Sequence, residues 1–401
     1  MEVEVAPHPA AAKVVDFEDW ACNSNECTEI SLVHLQRGDN DSKQPIISTG
    51  FNPDFTYSVF GAAETIFGYK NLSIKIKYTS GSLKPYVEIN YTDKYKAQTP
   101  SSSTKAEVEA DDINAILGEL LPKERIDNYH QFIDAVKRDY TTFRPLGDKV
   151  QEYTKENNDG SIDHFEIYKC SFADKDMRRY YSRIKLFVLL FVEGSSFIDD
   201  EDDNWEIYTT YKREDVNNTY AYHFIGYCAA YPFWCWPENI RMRISQFLIL
   251  SPFKKQGHGS KLYQTIYQLV RAKQDICEMA VEDPNDEFSD MRDKNDLRFF
   301  LKCDAFKGLK APVPENKINE LHAKYKLTNR QTQRALEMYL LSKLNKLNHV
   351  EYKTYRLQVK KRLYLVNYDV LQEIEEEERK EKLEQTYLSI EEDYHRLLEL
   401  V

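Results

Sequence analysis

The segment 243–260 has the most chemically specific pattern in the sequence. An apolar, strand-like run leads into a short polar loop that contains Gly257 and Gly259, and a helical pattern follows. Backbone amides at a helix N-terminus lack intrahelical partners, and the helix dipole favours negative charge there. The two glycines leave the path to those amides open, and Lys254 and Lys255 add positive charge. The pattern predicts a cradle for a pyrophosphate group, and the same spacing also fits a tight turn between strand and helix.

Acidic residues at the ends of two apolar runs are the candidates for proton transfer. Glu282 and Asp283 follow a short apolar strand pattern at 276–281, and Pro284 prevents that strand from continuing. A carboxylate beside apolar walls can act as a base toward a substrate. Asp283 can equally begin the next helix as its N-cap. Glu193 follows a second apolar run, and it can equally be a solvated turn residue.

The elements that must position these residues follow from periodicity and from turn residues. Strands are predicted at 164–172, 205–212, 220–231, 243–250 and 276–281, and a hairpin spans 71–91. Helices are predicted at 111–136, 173–184, 257–273 and 286–303, and amphipathic helices follow Pro314. Both groups of candidate residues therefore lie where a predicted strand ends.

The composition is that of a globular protein with an acidic surface. The chain has 401 residues, 42% of them hydrophobic, and a formal net charge of −12 at pH 7. Nonspecific nucleic-acid binding neutralises phosphates with Lys and Arg, so this charge disfavours it and suits a basic partner. No apolar stretch reaches the roughly 18 residues of a membrane helix. The seven cysteines show no C-x-x-C spacing and no histidine at zinc-finger distance, which disfavours a structural zinc site.

Several short segments, in this order and spacing, resemble a known family. They lie at 60–61, 64–69, 80–83, 193–199, 243–250, 256–259 and 282–284. Together they resemble the catalytic subunits of the type B histone acetyltransferases, within the GCN5-related N-acetyltransferase superfamily. The resemblance extends from about residue 50 to about residue 400. The sequence departs from the superfamily at Lys254, where the loop usually begins with Gln or Arg.

The resemblance implies a mixed α/β (α+β) fold with an acetyltransferase core. It implies a disordered N-terminus at 1–20, an N-terminal α/β domain at 21–150, the core at 151–312 and a C-terminal helical module at 313–401. Acetyl-CoA is the expected cosubstrate, in a gap between the strands at 243–250 and 276–281, and no metal is expected. The residues implied to bind it are Phe247, Leu248 and Ile249 through their backbone, Lys254, Lys255, Gln256, Gly257, His258, Gly259 and Ser260 around the pyrophosphate, and Asn285 and Lys294.

The resemblance also implies a reaction and its partners. Glu282 matches the general base, with Asp283 and Glu193 as its acidic neighbours, and the acetyl group passes directly to a lysine amine. The expected substrate is the N-terminal tail of newly synthesised, non-nucleosomal histone H4. Trp205 and Tyr231 match aromatic positions of the family's peptide groove, and the substrate-binding residues include Glu64, which adds acidic charge. A WD-repeat histone-binding subunit is the expected partner, with cytoplasmic and nuclear localisation and no direct contact with nucleic acid or membrane.

Other interpretations of individual residues remain open. The acidic stretch 199–203 can be a solvated loop, and Trp205 and Tyr231 can be core residues. Asn285 can be the N-cap of the helix that follows it. Cys277 lies on a strand beside the expected gap and offers a covalent acyl route, although the role of a small buried residue fits it better.

Other functions are compatible with the same pattern. The fold could bind a basic tail or CoA without turnover. It could also acetylate a small-molecule amine or a protein N-terminus, because the cofactor half is shared across the superfamily. Nucleic-acid binding by the C-terminal helices, through residues 360–362 and Arg334, is a less favoured alternative because the tail is acidic at 373–378.

Overall fold

The computed structural model describes residues 17–36, 46–96, 109–216, 219–345 and 347–401, and it confirms the mixed α/β class. The segment 1–20 was predicted to be disordered. Residues 1–16 of this segment lie outside the described residues, and Phe17–Trp20 form a 3-10 helix. The chain folds into two compact units that are not contiguous in sequence. The first comprises residues up to 143, 179–197 and 215–221, and the second comprises 144–178, 198–214 and 222–401. Among the described residues, no helix combines the length and apolar character needed to span a bilayer.

The first unit is built on a four-stranded sheet. Its elements are β1 (Ala21–Asn23), α1 (Ser24–Cys27), β2 (Thr28–Leu35), β3 (Ile46–Phe51), α2 (Tyr57–Phe60), β4 (Thr65–Phe67), β5 (Tyr69–Lys70), β6 (Ser73–Thr79), β7 (Pro85–Asn90), β8 (Asp93–Lys94), α3 (Ile113–Leu120), α4 (Tyr129–Thr142) and most of α5 (Lys175–Phe191). The strand order is β3-β2-β6-β7, and β6 and β7 form the predicted hairpin. The apolar end of α5 covers this sheet, because Phe187 packs on Tyr78 with ring centroids 4.6 Å apart.

The second unit contains a six-stranded sheet and the C-terminal helices. Its elements are β9 (Asp148–Glu156), β10 (Ile162–Ser171), β11 (Glu206–Val216), β12 (Thr219–Cys235), β13 (Asn239–Ile249), α6 (His258–Ala272), β14 (Ile276–Val281), α7 (Asp286–Lys302), α8 (Glu315–Tyr325), α9 (Asn329–Lys343), α10 (His349–Val366), α11 (Tyr368–Gln372) and α12 (Glu376–Leu398). The strand order is β14-β13-β12-β11-β10-β9. β14 runs parallel to β13, whereas β12 and β13 are antiparallel.

The C-terminal helices share one hydrophobic core with this sheet. Met242 on β13 and Tyr394 and Leu397 on α12 belong to the same buried cluster. A buried ion pair also holds the helices together, because Arg362 donates to both carboxylate oxygens of Glu337 at 2.8 Å. Residues 315–398 therefore belong to the same compact unit as the six-stranded sheet.

Candidate active site

The parallel strands β13 and β14 separate at one point. Their pairing reaches Ile244 and Val281, and the amide of Glu282 donates the last hydrogen bond to the carbonyl of Ile244 at 2.9 Å. Among the described residues, no strand pairs with this side of β13 between Ile244 and Ile249. The separation leaves a free strand edge, as the sequence predicted for the gap between these two segments.

A β-bulge bends β13 at the same point. Ile244 pairs with Ala230 and Gln246 pairs with Ala229, so Ser245 has no partner on β12. A bulge of this kind increases the local twist and turns the strand away from its neighbour. The residues beyond the bulge include the predicted cofactor-binding positions Phe247, Leu248 and Ile249. Leu248 and Ile249 are buried, and within the described chain no strand pairs with the free edge of β13 at these two residues.

The predicted phosphate cradle begins α6. Gly257 is the N-cap, with a φ of +92° that favours glycine. The amide of Lys261 donates to the carbonyl of Gly257 at 3.1 Å, which closes the first helical turn. Within the described chain, the amides of His258, Gly259 and Ser260 have no hydrogen-bond partner. Three unpaired amides at a helix N-terminus fit the diphosphate of a nucleotide cofactor.

The two glycines of the loop serve different purposes. A Cβ atom at Gly257 would meet no atom within 4 Å, so this position opens onto free space. A Cβ atom at Gly259 would lie 3.0 Å from the Sδ atom of Met291 on α7 and 3.6 Å from Ile249. Gly257 therefore keeps the approach to the amides clear, whereas Gly259 allows α6 to pack closely against β13 and α7.

Polar side chains from β9 and α7 brace the loop before α6 and the first turn of that helix. Gln256 donates to the carbonyl of Pro252 at 2.8 Å, and its side-chain oxygen accepts from Lys155 on β9 at 3.0 Å. The hydroxyl of Ser260 accepts a hydrogen bond from Asn295 on α7 at 3.0 Å. Lys254, Lys255 and Lys294 bring positive charge to the loop and to α7, and Lys255 has a φ of +59°.

The His258 side chain has a structural role. It is 1% exposed, and the hydroxyl of Tyr153 lies 2.8 Å from its Nδ1 atom. Burial lowers the pKa of His258 to about 4, so the ring is neutral near pH 7 and shares a hydrogen bond with the Tyr153 hydroxyl. Only the backbone amide of His258 can face an anion, so the side chain is not available for the predicted cofactor contact.

The carboxylate of Glu282 lies beside a cation. Its Oε1 atom is 3.3 Å from Nη2 of Arg243, and the two side chains are 41% and 34% exposed. The sequence predicted acidic neighbours for Glu282, and it gave no role to Arg243. The available signal was the alternate spacing of Arg241 and Arg243 on one predicted strand, matched by Glu278 and Glu282 on and just after the next.

Aromatic side chains continue this surface across β12. The guanidinium carbon of Arg243 lies 3.9 Å from the ring centroid of Phe233, which is 4.8 Å from that of Tyr231. Trp205 packs edge-on against Tyr231, with the ring centroids 4.9 Å apart. Trp205 and Tyr231 are both partly exposed, so neither is a core residue. The predicted aromatic residues and Glu282 thus belong to one continuous surface of the second unit, with Phe233 as a member that the sequence did not single out.

The acidic stretch 199–203 is anchored to that surface at its end. Tyr231 donates to Asp202 at 2.7 Å, and this hydrogen bond lowers the pKa of Asp202. Arg178 donates to Asp203 at 2.5 Å. Asp199 and Glu201 are exposed beside them. The stretch is therefore a partly braced loop, in which the exposed Asp199 carboxylate accepts from the amide of Glu201 at 3.0 Å.

The remaining candidates near the end of β14 are distinguished by their contacts. Asn285 is the N-cap of α7, and its side-chain oxygen accepts from the amide of Phe288 at 2.9 Å. Asp283 is exposed, with a φ of +33°. Cys277 donates to the carbonyl of Ile240 at 3.3 Å, near the opposite end of the strand. Burial and the neighbouring Cys235 raise the pKa of Cys277, which disfavours a thiolate nucleophile.

A cavity of about 860 Å³ flanks β14, and of the predicted site residues only Asp283 lines it. Two of the four arginines that line it pair with aspartates that also line it. Arg334 lies 2.5 Å from Asp293, and Arg396 lies 2.6 Å from Asp290. The paired charges leave no clear preference for a ligand of either sign.

Glu64 and Glu193 belong to the first unit. Glu64 accepts hydrogen bonds from the amides of Thr56 at 2.6 Å and Tyr57 at 3.2 Å and from Asn25 at 2.8 Å. These donors lower the pKa of Glu64, and the amide of Thr56 has the largest effect. Because the amides of Thr56 and Tyr57 lie at the start of α2, the Glu64 carboxylate caps that helix. Glu193 is an exposed residue in the turn after α5, where the amide of Gly194 donates to the hydroxyl of Tyr57 at 2.7 Å.

Comparisons with known proteins agree with the resemblance in the sequence. Two family models match, "Histone acetyl transferase HAT1 N-terminus" at residues 20–193 and "Fungal HAT1, C-terminal" at residues 293–345. A protein of Cryptococcus neoformans is 37% identical over 95% of this chain and 98% of its own length, and one of Kluyveromyces lactis is 33% identical over 96% and 93%. Each of these proteins is named histone acetyltransferase type B catalytic subunit.

The similarity to a solved acetyltransferase structure is limited to part of this chain. Glucosamine-6-phosphate N-acetyltransferase from Arabidopsis thaliana covers 38% of this chain and 95% of its own, with 14% identity and a TM-score of 0.22. The sequence relatives, by contrast, extend over nearly the whole chain. On that similarity, the chain belongs to the family of the type B histone acetyltransferase catalytic subunits.

Proposed function

We propose that this protein transfers the acetyl group of acetyl-CoA to lysine side chains in the N-terminal tail of newly synthesised, non-nucleosomal histone H4. Transfer is direct, in a ternary complex, with Glu282 as the general base. The observation that carries the proposal is the position of Glu282, whose amide closes the last hydrogen bond before β13 and β14 separate. Family membership supports a histone as the substrate class.

The reaction needs a base because the attacking amine is normally protonated. With a reference pKa of about 10.4, roughly one lysine amine in 2,500 is neutral at pH 7, a cost of about 4.6 kcal/mol. Glu282 lies at the point where the gap between β13 and β14 opens, and its side chain is 41% exposed. It can therefore accept the proton of an incoming ammonium group and release it to solvent.

The residues that would hold acetyl-CoA form a continuous path. The free edge of β13 from Phe247 to Ile249 would pair with the pantetheine arm, and the amides of His258, Gly259 and Ser260 would bind the pyrophosphate. The side chains of Lys254 and Lys255 supply positive charge beside those amides. When bound, acetyl-CoA supplies a thioester carbonyl as the electrophile. The chain's own contribution would be to hold that thioester beside Glu282.

The surface next to Glu282 suits a basic, flexible peptide. Trp205 and Tyr231 offer aromatic faces to an aliphatic lysine stem, and the exposed carboxylates of Asp199 and Glu201 attract positive charge. The overall charge of −12 acts in the same direction at long range. These features support a histone tail over a neutral small-molecule amine.

A WD-repeat histone-binding subunit and a cytoplasmic and nuclear distribution complete the proposal. Both follow from the sequence resemblance. Affinity purification of the tagged protein from its own cells should recover a WD-repeat protein, and microscopy of the tagged protein should find it in both compartments. Recovery without any WD-repeat protein would contradict the partner assignment.

The decisive experiment is mass spectrometry of histones after incubation with the protein and acetyl-CoA. We expect acetylated lysines in the tail of free H4, little product on nucleosomes, and far less product with Glu282→Gln. CoA binding without any acetylated product would support a non-catalytic binding module instead. Acetylation of other amines with no H4 product would overturn the substrate assignment.

A further inference from the structure

Arg243 lies at the centre of the candidate site, and the proposed reaction assigns it no role. It lies on β13, where its cross-strand neighbours are Tyr231 on β12 and Ala280 on β14. Its guanidinium lies over the ring of Phe233, and its Nη2 atom is 3.3 Å from Oε1 of Glu282. The cation thus lies between an aromatic ring and the candidate base.

We propose that Arg243 is a positioning residue that holds the carboxylate of Glu282 toward the acceptor lysine. The inference rests on the proposed role of Glu282 as the base. The backbone of Glu282 is fixed by the carbonyl of Ile244, but its side chain has three rotatable bonds and is partly exposed. A charge-assisted contact from a fixed cation restricts those rotations and keeps the carboxylate in one orientation.

Arg243 can act in this way because it is itself held in place. Its backbone lies in an inner strand between β12 and β14, and the Phe233 ring supports the guanidinium plane. The Nε atom is buried and has no hydrogen-bond partner in the described chain. An ion pair with side chains 34% and 41% exposed contributes little to folding stability, so stability alone does not account for the arrangement.

The charges around Glu282 determine what removal of Arg243 should do. β13 brings Arg243, the loop after β14 brings Asp283, and β12 brings the uncharged ring of Phe233 and the phenol of Tyr231. Among the described residues, Asp283 is the charged neighbour that follows Glu282 directly in sequence. Without the cation the Glu282 side chain regains its rotations, so kcat should fall more than peptide affinity.

A second arginine on the same strand offers a matched control. Arg241 forms an ion pair with Glu278, its direct partner on β14. This pair has the same chemistry and joins the same two strands, but it lies farther from the point where they separate. Arg241→Gln therefore measures the structural cost of losing an Arg–Glu pair in this sheet.

The experiment compares Arg243→Gln, Arg243→Lys, Arg241→Gln and Glu282→Gln in the full chain. Steady-state kinetics with an H4 tail peptide are measured from pH 5.5 to 9, peptide binding by calorimetry, and folding by thermal unfolding. We expect Arg243→Gln to lower kcat about 10- to 100-fold with a smaller change in peptide affinity. Arg243→Lys should recover part of the rate, and Arg241→Gln should keep the kcat of the unmodified protein.

The outcomes separate the two proposals. If Glu282→Gln is inactive while Arg243→Gln keeps the original kcat, the positioning role is wrong and the base assignment stands. If Glu282→Gln is fully active, the base assignment fails and the inference fails with it. Should Arg243→Gln not fold, Phe233→Leu removes only the ring beneath the guanidinium. It should lower kcat in the same direction by a smaller factor, and an unchanged kcat in that variant would overturn the inference.

Discussion

The amide of Glu282 donates to the carbonyl of Ile244 at 2.9 Å, and this bond is the last rung between β13 and β14. The position of the candidate base is therefore set by the backbone of the sheet and is independent of its own side chain. Substitutions of the Glu282 side chain should leave its location unchanged, so they can test chemistry separately from folding.

We expect Glu282→Gln to lower kcat by roughly 10²–10⁴, the usual contribution of a positioned base. CoA affinity should be nearly unchanged, because the cradle residues lie on β13 and α6. Steady-state kinetics and calorimetry with CoA measure the two effects. Cys277→Ala is the control and should remain active. An acetylated enzyme trapped on Cys277 in the absence of histone, together with an active Glu282→Gln, would point to a covalent route.

We expect Gly257→Val to abolish most CoA binding in the folded protein. A side chain at this position would extend into the open space before three unpaired amides. The positive φ of Gly257 adds backbone strain, so Gly308→Val is the matched control. Gly308 has a φ of +78° and also faces open space. Calorimetric titration should find CoA affinity lost only in the Gly257 variant, and equal losses in both would assign the effect to strain.

His258 should make the protein less stable as the pH falls from about 6.5 to about 4. Burial lowers the folded pKa to about 4, while the unfolded chain binds this proton near pH 6.5. In that window the unfolded state binds more protons, so acidification lowers the free energy of unfolding, by up to about 3 kcal/mol. Urea unfolding at pH 7 and pH 5 should find a smaller pH effect in His258→Asn. The same slope in both proteins would contradict the assignment.

The aromatic and acidic surface should govern the peptide and leave the cofactor unaffected. Tyr231→Phe removes the hydrogen bond that anchors Asp202 at 2.7 Å, so the peptide KM should rise while the acetyl-CoA KM stays constant. Raising the salt concentration should also increase the peptide KM more, because exposed charges are screened within about 8 Å at physiological ionic strength. Parallel kinetics with both substrates varied provide the measurement. Equal effects on the two KM values would contradict the assignment of this surface to peptide binding.

The C-terminal helix should contribute stability and no chemistry. Leu397 on α12 is fully buried, and Leu397→Ala should lower the free energy of unfolding by about 2–5 kcal/mol. Leu388, on the same helix, is 51% exposed, so Leu388→Ala should change stability much less. Denaturant unfolding compares the two variants, and kcat per folded molecule should be unchanged in both. A stable but inactive Leu397→Ala would give the helix a direct catalytic role.

The sequence determined the local parts of this site. The strand, loop and helix between Arg243 and Ala272 follow from periodicity and from the position of Gly257, and the structure confirms the helix from His258. The strand at 276–281 and the helix that starts at Asp286 were also predicted where the structure has them. These features depend on neighbouring residues in the chain, which explains why local pattern is sufficient.

Only the tertiary structure decided which of these parts meet. Arg243 reaches Glu282 because β13 and β14 pair in parallel with one particular register. A shift of one residue would turn either side chain to the opposite face of the sheet. Glu64 became a cap for α2 and His258 became a buried ring through contacts with residues that no local pattern relates to them. Register and strand order arise from packing of the whole sheet, and periodicity within one segment does not encode them.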